Sequence, residues 1–215
     1  MQDSTPLKQW SNEFGADYRD RNKLDAATVL QAQQVFSRVF EEASLTGEVR
    51  SVLEVGCNVG INLAGLRKMQ PNSAKLQLSA IEPNKQTCQT ARENADLSLD
   101  RIECSDCYSM PFPDGHFDLV FTAGVLIHIP PNRLEEAMRE ITRVSKRFVM
   151  CMECFSHQPE EVTYHGQQGL LWKCDFGGKY LDTVSSLTTR KYGFIWMREF
   201  PHYDDLNWWV FEKQA

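Results

Sequence analysis

Positive charge is what this sequence has little of: 23 Lys and Arg stand against 29 Asp and Glu, leaving a net charge of −6 over 215 residues. A nucleic acid held through its phosphates needs a basic stripe that releases counterions, and no Lys/Arg-rich stripe is present. DNA and RNA are therefore not expected as partners. No apolar run approaches the roughly 20 residues that span a bilayer, so no membrane partner is expected either. The first residues, Met1 to Pro6, carry neither a basic head nor an apolar stretch, and no signal peptide is readable there. Internal repeats, low-complexity segments and a visible interdomain linker are lacking too. At 42 % hydrophobic, the chain has enough apolar material for one substantial core. The expectation is one domain over residues 1–215 in a reducing cytoplasm, monomeric or homodimeric.

Cysteine is not scarce. Among the seven, Cys104-x-x-Cys107 and Cys151-x-x-Cys154 form two pairs of the kind that bind zinc. Zinc knuckles place each pair in a tight, polar turn. Both pairs here overlap strand-like sequence, at 101–105 and 148–155, where residues three apart point to opposite faces. No metal is expected, and buried free thiols are the better reading.

Glycine is sparse where one nucleotide signature demands it. Val52-Leu53-Glu54-Val55-Gly56-Cys57-Asn58-Val59-Gly60 reads as a short buried strand ending near an acid, then a glycine turn that opens a helix over 61–69. The dinucleotide fingerprint G-x-G-x-x-G lets a pyrophosphate lie on bare backbone. Asn58 and Ile61 occupy its second and third glycine positions, which crowds a pyrophosphate and leaves room for a ligand with a different end group.

Around this turn the hydrophobic pattern alternates between short runs and helical stripes. Strands are predicted at 51–55, 77–81, 101–105, 117–122 and 147–153, with helices at 61–69, 84–94 and 132–142. Such alternation implies parallel strands joined by right-handed crossovers, with helices on both faces. Pro130-Pro131 pre-sets the last of these helices, whose inward stripe is Leu134, Ala137, Met138, Ile141 and Val144. Upstream, Trp10, Phe14 and Tyr18 recur every fourth residue in a predicted helix over 7–22, and a second helix is predicted over 25–44 with Val29, Phe36, Val39 and Phe40 buried. Downstream, 156–190 has no clean period, and two strands are predicted at 194–200 and 207–211. The divisions are a helical lid (1–45), a cofactor-binding core (51–153), an acceptor-binding insertion (156–190) and a terminal strand pair (192–213).

In an open parallel sheet the ligand lies across the carboxyl ends of the strands. Glu82, with Pro83 beside it, follows the second strand, where a carboxylate accepts both hydroxyl protons of a ribose. Asp106 follows the third. It suits an adenine amino group, with the N–H of Cys107 for a ring nitrogen; an Asx-turn is the alternative role.

From Ser105 to Pro131 the chain reads S-D-C-Y-S-M-P-F-P-D-G-H-F-D-L-V-F-T-A-G-V-L-I-H-I-P-P. This resembles the G-D-A-x-x-L-P-F-P-D-x-S-F-D-x-V-x-x-x-x-V-L-x-H-I stretch of class I S-adenosylmethionine-dependent methyltransferases. Glu54, Gly56 and Gly60 match the E/D-x-G-x-G-x-G turn of the same proteins, with Asn58 in place of the middle glycine. The likeness covers residues 51–153. It implies a Rossmann-like α/β methyltransferase fold: a seven-stranded, mostly parallel sheet in the order 3-2-1-4-5-7-6, the last strand antiparallel, with S-adenosylmethionine as cofactor. A narrower likeness, in Phe14-Gly15-x-x-Tyr18-x-x-Arg21-Asn22 and in Gly169-Leu170-Leu171-Trp172-Lys173-x-Asp175-Phe176-Gly177, is to small methylases associated with pseudaminic acid biosynthesis.

The implied reaction is in-line displacement onto a small polar metabolite, an amine or guanidine nitrogen or a sugar-type hydroxyl. It relies on proximity and orientation and needs no covalent nucleophile. Asn58, Thr122, Ala123, Tyr18, Arg21 and Asn22 are the residues expected at the donor's amino-acid end. Arg21 either pairs the carboxylate or forms a surface ion pair with Asp17 or Asp25. His128 is either a general base for a hydroxyl acceptor or a packing residue under Pro130; His165 and Asp175 are secondary candidates. Trp10, Tyr18, Glu153, Tyr164, Trp172 and Tyr180 are expected to contact the acceptor. Two rival readings remain, a silent methyltransferase-fold accessory protein and, disfavoured by Asn58 and Ile61, an NAD-dependent oxidoreductase.

Overall fold

A computed structural model describes residues 5–11, 15, 22–69 and 76–214. Strands β1 (Ser51–Val55) and β2 (Gln77–Ile81) are five-residue apolar runs, buried over the four residues that follow the first. With β3 (Arg101–Glu103), β4 (Phe117–Ala123), β5 (Ser145–Glu153), β8 (Leu187–Ile195) and β9 (Leu206–Lys213) they form one sheet in the order β3-β2-β1-β4-β5-β9-β8. Counting only strands of this sheet, the order is the implied 3-2-1-4-5-7-6. β1 to β5 pair in parallel, and β9 runs antiparallel to both β5 and β8. A separate two-stranded flap, β6 (Glu160–Glu161) with β7 (Trp172–Lys173), belongs to the insertion.

Helices cover both faces, as buried parallel strands require. After α1 (Thr5–Trp10) come α2 (Ala26–Glu42), α3 (Ile61–Lys68) and α4 (Lys85–Glu93), whose apolar residues join one core. On the opposite face α5 (Pro131–Val144) and α6 (Phe176–Thr183) form the second core. Asp25 starts α2 with a capping box, accepting the N–H groups of Ala27 and Thr28 at 2.9 Å each, which offsets orphan donors of the first turn. The predicted stripe of α5 is buried in full, as are the four residues predicted for α2.

The structure corrects three expectations. The strand predicted at 194–200 lies earlier, at Leu187–Ile195, because this edge strand buries only its two end residues and its exposed middle, Thr188-Thr189-Arg190-Lys191, has no apolar alternation to read. α6 lies inside the segment read as irregular. Of the cysteines expected to be free, Cys88 and Cys104 form a disulfide tying α4 to the chain leaving β3, while Cys57, Cys107, Cys151, Cys154 and Cys174 are free thiols. Phe14 and Tyr18 of the predicted first helix lie outside the described residues. No helix among the described residues is long and apolar enough to cross a membrane, and they contain no His/Cys/Asp/Glu grouping able to hold a metal.

Candidate active site

A cavity of about 270 Å³ opens beyond the carboxyl ends of β1, β2 and β4. Its floor is the glycine turn. Gly56, Asn58 and Gly60 alternate through left-handed backbone at φ 77, 48 and 86°. Asparagine is among the few non-glycine residues that enter this region readily, so Asn58 takes the conformation a middle glycine would have. The flanking glycines are also sterically fixed. A Cβ on Gly56 would stand 2.7 Å from Val125 Cγ2, and one on Gly60 2.6 Å from Leu97 Cδ1.

Glu82 braces this turn from the neighbouring strand. Its carboxylate accepts the backbone N–H of Asn58 at 3.0 Å and that of Asn84 at 2.9 Å, while the side chain stays on the cavity wall. Burial raises its pKa, with the two backbone bonds opposing. At the end of β1, Glu54 lies 1 % exposed on the same wall. One oxygen accepts from Asn62 Nδ2 at 2.7 Å, and Asn62 Oδ1 accepts from the Tyr203 hydroxyl at 2.7 Å. The other oxygen, Oε2, is buried without a partner. Burial, reinforced by the nearby charge of Glu82, pushes the Glu54 carboxyl up to about 8. Asp106 also lines the cavity, with one oxygen accepting the Tyr108 N–H at 2.9 Å in an Asx-turn. Cys107 follows it, a thiol pushed up to about 12 by burial.

Charge decides what this cavity admits. The described lining contains four carboxyl groups, those of Glu54, Glu82, Asp106 and Asp204. Near pH 7 Glu54 is held as its neutral acid, so repulsion of a pyrophosphate and attraction of a sulfonium and an ammonium group fall to Glu82, Asp106 and Asp204. The acidic lining, with the Glu82 carboxylate beyond the end of β2, fits S-adenosylmethionine.

His128 stands on a 3₁₀ turn, Leu126–His128, just past β4. Its Nδ1 lies 2.7 Å from the Leu170 carbonyl. A carbonyl only accepts, so Nδ1 carries the proton and Nε2 keeps the lone pair. Burial holds the imidazole down at about 4, and it is neutral near pH 7. Its ring lies between Trp10 and Tyr164, at centroid distances of 4.4 and 5.2 Å.

The turn is held from below by Glu153. This residue, expected against the acceptor, is fully buried; it accepts N–H bonds from Val125, Leu126 and Ile127 at 3.2, 3.1 and 3.4 Å. Burial pushes its carboxyl up to about 7. Other expectations are corrected similarly. Tyr180 is fully buried against Phe211 in the core, and Asp175 caps α6 by accepting the Gly178 N–H at 2.9 Å. Trp172 pairs with Glu161 within the flap, and Thr122 is fully buried; neither lines the cavity. His165 packs on Tyr164 at 4.4 Å, also outside the lining. The cavity does gather Trp10, Asn22, Glu54, Gly56, Asn58, Glu82, Pro83, Asp106, Cys107, Ala123, His128 and Tyr164. Tyr18 and Arg21 lie outside the described residues. Asn62 and Tyr203 escape the sequence reading; Asn62 had a signal in its place on the first turn after the glycines, Tyr203 had none.

Comparison with known proteins agrees with this geometry. A family model described as a methyltransferase domain matches residues 53–160. An uncharacterized methyltransferase of Schizosaccharomyces pombe is 30 % identical over 113 residues, covering 47 % of this chain and 39 % of the relative. The chain spans about two fifths of the length of the curated relatives it matches. Among solved structures, the magnesium protoporphyrin IX methyltransferase of Synechocystis with bound S-adenosylmethionine superposes with a TM-score of 0.69 at 13 % identity, covering 100 % of both chains. A Burkholderia thailandensis 1,6-didemethyltoxoflavin-N1-methyltransferase also gives 0.69 at 13 % identity, covering 100 % of this chain and 93 % of its own. At such identities the likeness is one of fold. The family match spans half of the chain, and the protein belongs to the methyltransferase-domain family, with S-adenosylmethionine as its cofactor.

Proposed function

We propose that this protein transfers the methyl group of S-adenosylmethionine to a nitrogen or oxygen atom of a small metabolite in a biosynthetic pathway. The observation that carries the reading is the acidic cavity floored by a left-handed glycine-type turn. When bound, the cofactor supplies a methyl carbon made electrophilic by sulfonium. Glu82 accepts from the ribose hydroxyls, Asp106 and the Cys107 N–H meet the adenine, and Asn22, Asn58 and Ala123 border the amino-acid end. Arg21 and Tyr18 keep their proposed roles at that end. The chain's contribution to rate is then to align two reactants and exclude water, with His128 Nε2 available to take a proton from the acceptor.

A small acceptor agrees with neighbours named for a porphyrin and a toxoflavin precursor. Within the acceptor classes weighed from sequence, the guanidine loses support, since Glu153 and Asp175 are engaged in holding backbone. The link to pseudaminic acid-associated methylases remains part of this proposal, resting on the motifs around Phe14 and Trp172. Calorimetry with S-adenosylhomocysteine and NAD, followed by labelled-methyl uptake across a small-molecule panel, tests the reading. Binding of NAD with no response to S-adenosylhomocysteine would refute it, and cofactor binding without uptake from any acceptor would favour the accessory-protein alternative.

A further inference from the structure

The cavity has two chemically different walls. Glu54, Glu82 and Asp106 lie on the side formed by β1, β2 and the chain leaving β3. The other side is made by Leu7 and Trp10 of α1, Ile127 and His128 of the turn past β4, and Tyr164 and Leu171 of the flap. Three rings adjoin on that side, Trp10 to His128 to Tyr164, with centroids 4.4 and 5.2 Å apart and successive planes tilted by 51 and 53°, so that a flat ligand meets them partly by face and partly by edge.

We propose that the acceptor is a flat, uncharged ring system, aromatic or heteroaromatic, that packs on the Trp10–His128–Tyr164 strip and presents its nucleophilic nitrogen or oxygen at the ring edge beside His128 Nε2. This rests on the methyltransferase reading and narrows its substrate class. Two alternatives fit the wall less well. A sugar buries several hydroxyls, each costly without a partner, and the strip carries three polar atoms, His128 Nε2, the Trp10 indole N–H and the Tyr164 hydroxyl, on otherwise apolar ring surface. A protonated amine or guanidinium is attracted by ring faces, but that attraction favours the form without a lone pair to give. The nearest expected counter-ion on this side, Glu153, is fully buried beneath the turn, and Asp204, which lines the cavity from the hairpin turn between β8 and β9, is exposed to solvent that screens its charge.

The chemistry balances with these groups. A bond forms between the ring-borne atom and the methyl carbon, the methyl–sulfur bond breaks with its electron pair staying on sulfur, and the acceptor's proton passes to His128 Nε2. The ring of His128 is kept in the required tautomer by the Leu170 carbonyl. Because burial disfavours the imidazolium, the match is to an acidic ring hydroxyl or ring N–H, or to a neutral ring nitrogen that needs no base, rather than to an aliphatic alcohol.

The test uses protein saturated with S-adenosylhomocysteine and three probes, 8-hydroxyquinoline, agmatine and UDP-N-acetylglucosamine, followed by calorimetry and saturation-transfer NMR. Binding by 8-hydroxyquinoline in preference to the others is expected. Its affinity should fall tenfold or more in Tyr164→Ala and be retained in Tyr164→Phe, while S-adenosylhomocysteine affinity in both variants stays within twofold of the wild type and reports an intact fold. Preferential binding of agmatine or the sugar nucleotide, or an unchanged ring affinity in Tyr164→Ala, would overturn the inference and leave the methyltransferase reading standing. Failure of S-adenosylhomocysteine to bind the wild type would overturn both.

Discussion

Replacing Glu54 by glutamine should make the cofactor-free protein more stable, and increasingly so as pH rises. Glu54 has an ordinary carboxyl value of 4.5 and is pushed up to about 8 in the fold, chiefly by burial. Between these values the native state holds a proton that the unfolded chain has released, so stability falls with rising pH. The penalty is absent below pH 4.5, grows to about 3 kcal/mol at pH 7 and levels off near 5 kcal/mol above pH 8, at about 1.4 kcal/mol for each pH unit crossed. Glutamine keeps the oxygen that accepts from Asn62 and never ionises. The Glu54→Gln variant should therefore match the wild type at pH 5 and exceed it by several kcal/mol at pH 9. Urea unfolding at pH 5, 7 and 9 without cofactor measures the difference. Some slope persists in the variant, because Glu82 and Glu153 are also raised by burial. A stability difference that is the same at pH 5 and pH 9 would refute the argument that Glu54 is buried as its neutral acid.

Three further outcomes follow from the same geometry. Glu82→Ala removes the proposed ribose acceptor, one brace of the glycine turn at Asn58 and one at Asn84 ahead of α4, and should weaken S-adenosylhomocysteine binding by about 2–4 kcal/mol in calorimetry; unchanged affinity would take Glu82 out of the site. Gly56→Ala should cost about 1–3 kcal/mol through its positive φ and the Val125 contact and abolish detectable binding, whereas Gly124→Ala, at φ +66 with open space around it, should cost only the backbone penalty of roughly 1 kcal/mol. Glu153→Ala leaves three backbone donors of the His128 turn without their acceptor, and a loss of about 3 kcal/mol or more is expected in thermal or urea melts; Glu153→Gln, which retains an accepting oxygen, should lose less.

How much of the site was legible depended on distance along the chain. Glu54, Gly56, Asn58 and Gly60 sit in one strand-turn-helix unit, and Glu82 follows the next strand, so a local pattern carried their positions. Asn58 looked like a departure from pattern until its φ of 48° showed the same left-handed backbone. The acceptor side was far less readable. Glu153 and Tyr180 look like surface recognition groups in a linear reading, because an acid at the ligand-facing end of a strand and an aromatic residue in an irregular segment both suit a binding site. Burial decides otherwise, since an acid that accepts three N–H groups and a ring that α6 turns inward onto Phe211 have no surface left for a ligand.

Hydrophobic periodicity was enough to place the five parallel strands and the glycine turn, because both act over a few residues, whereas the strand order came from the family resemblance and the edge strand was misplaced. Which side chains close the other end of the cavity depends on contacts between distant segments. The link from Glu54 through Asn62 to Tyr203 joins residues 141 positions apart at its second step, and the ring strip joins α1, the β4 turn and the flap. Such contacts are set by how helices and strands pack, and packing is a property of the whole core.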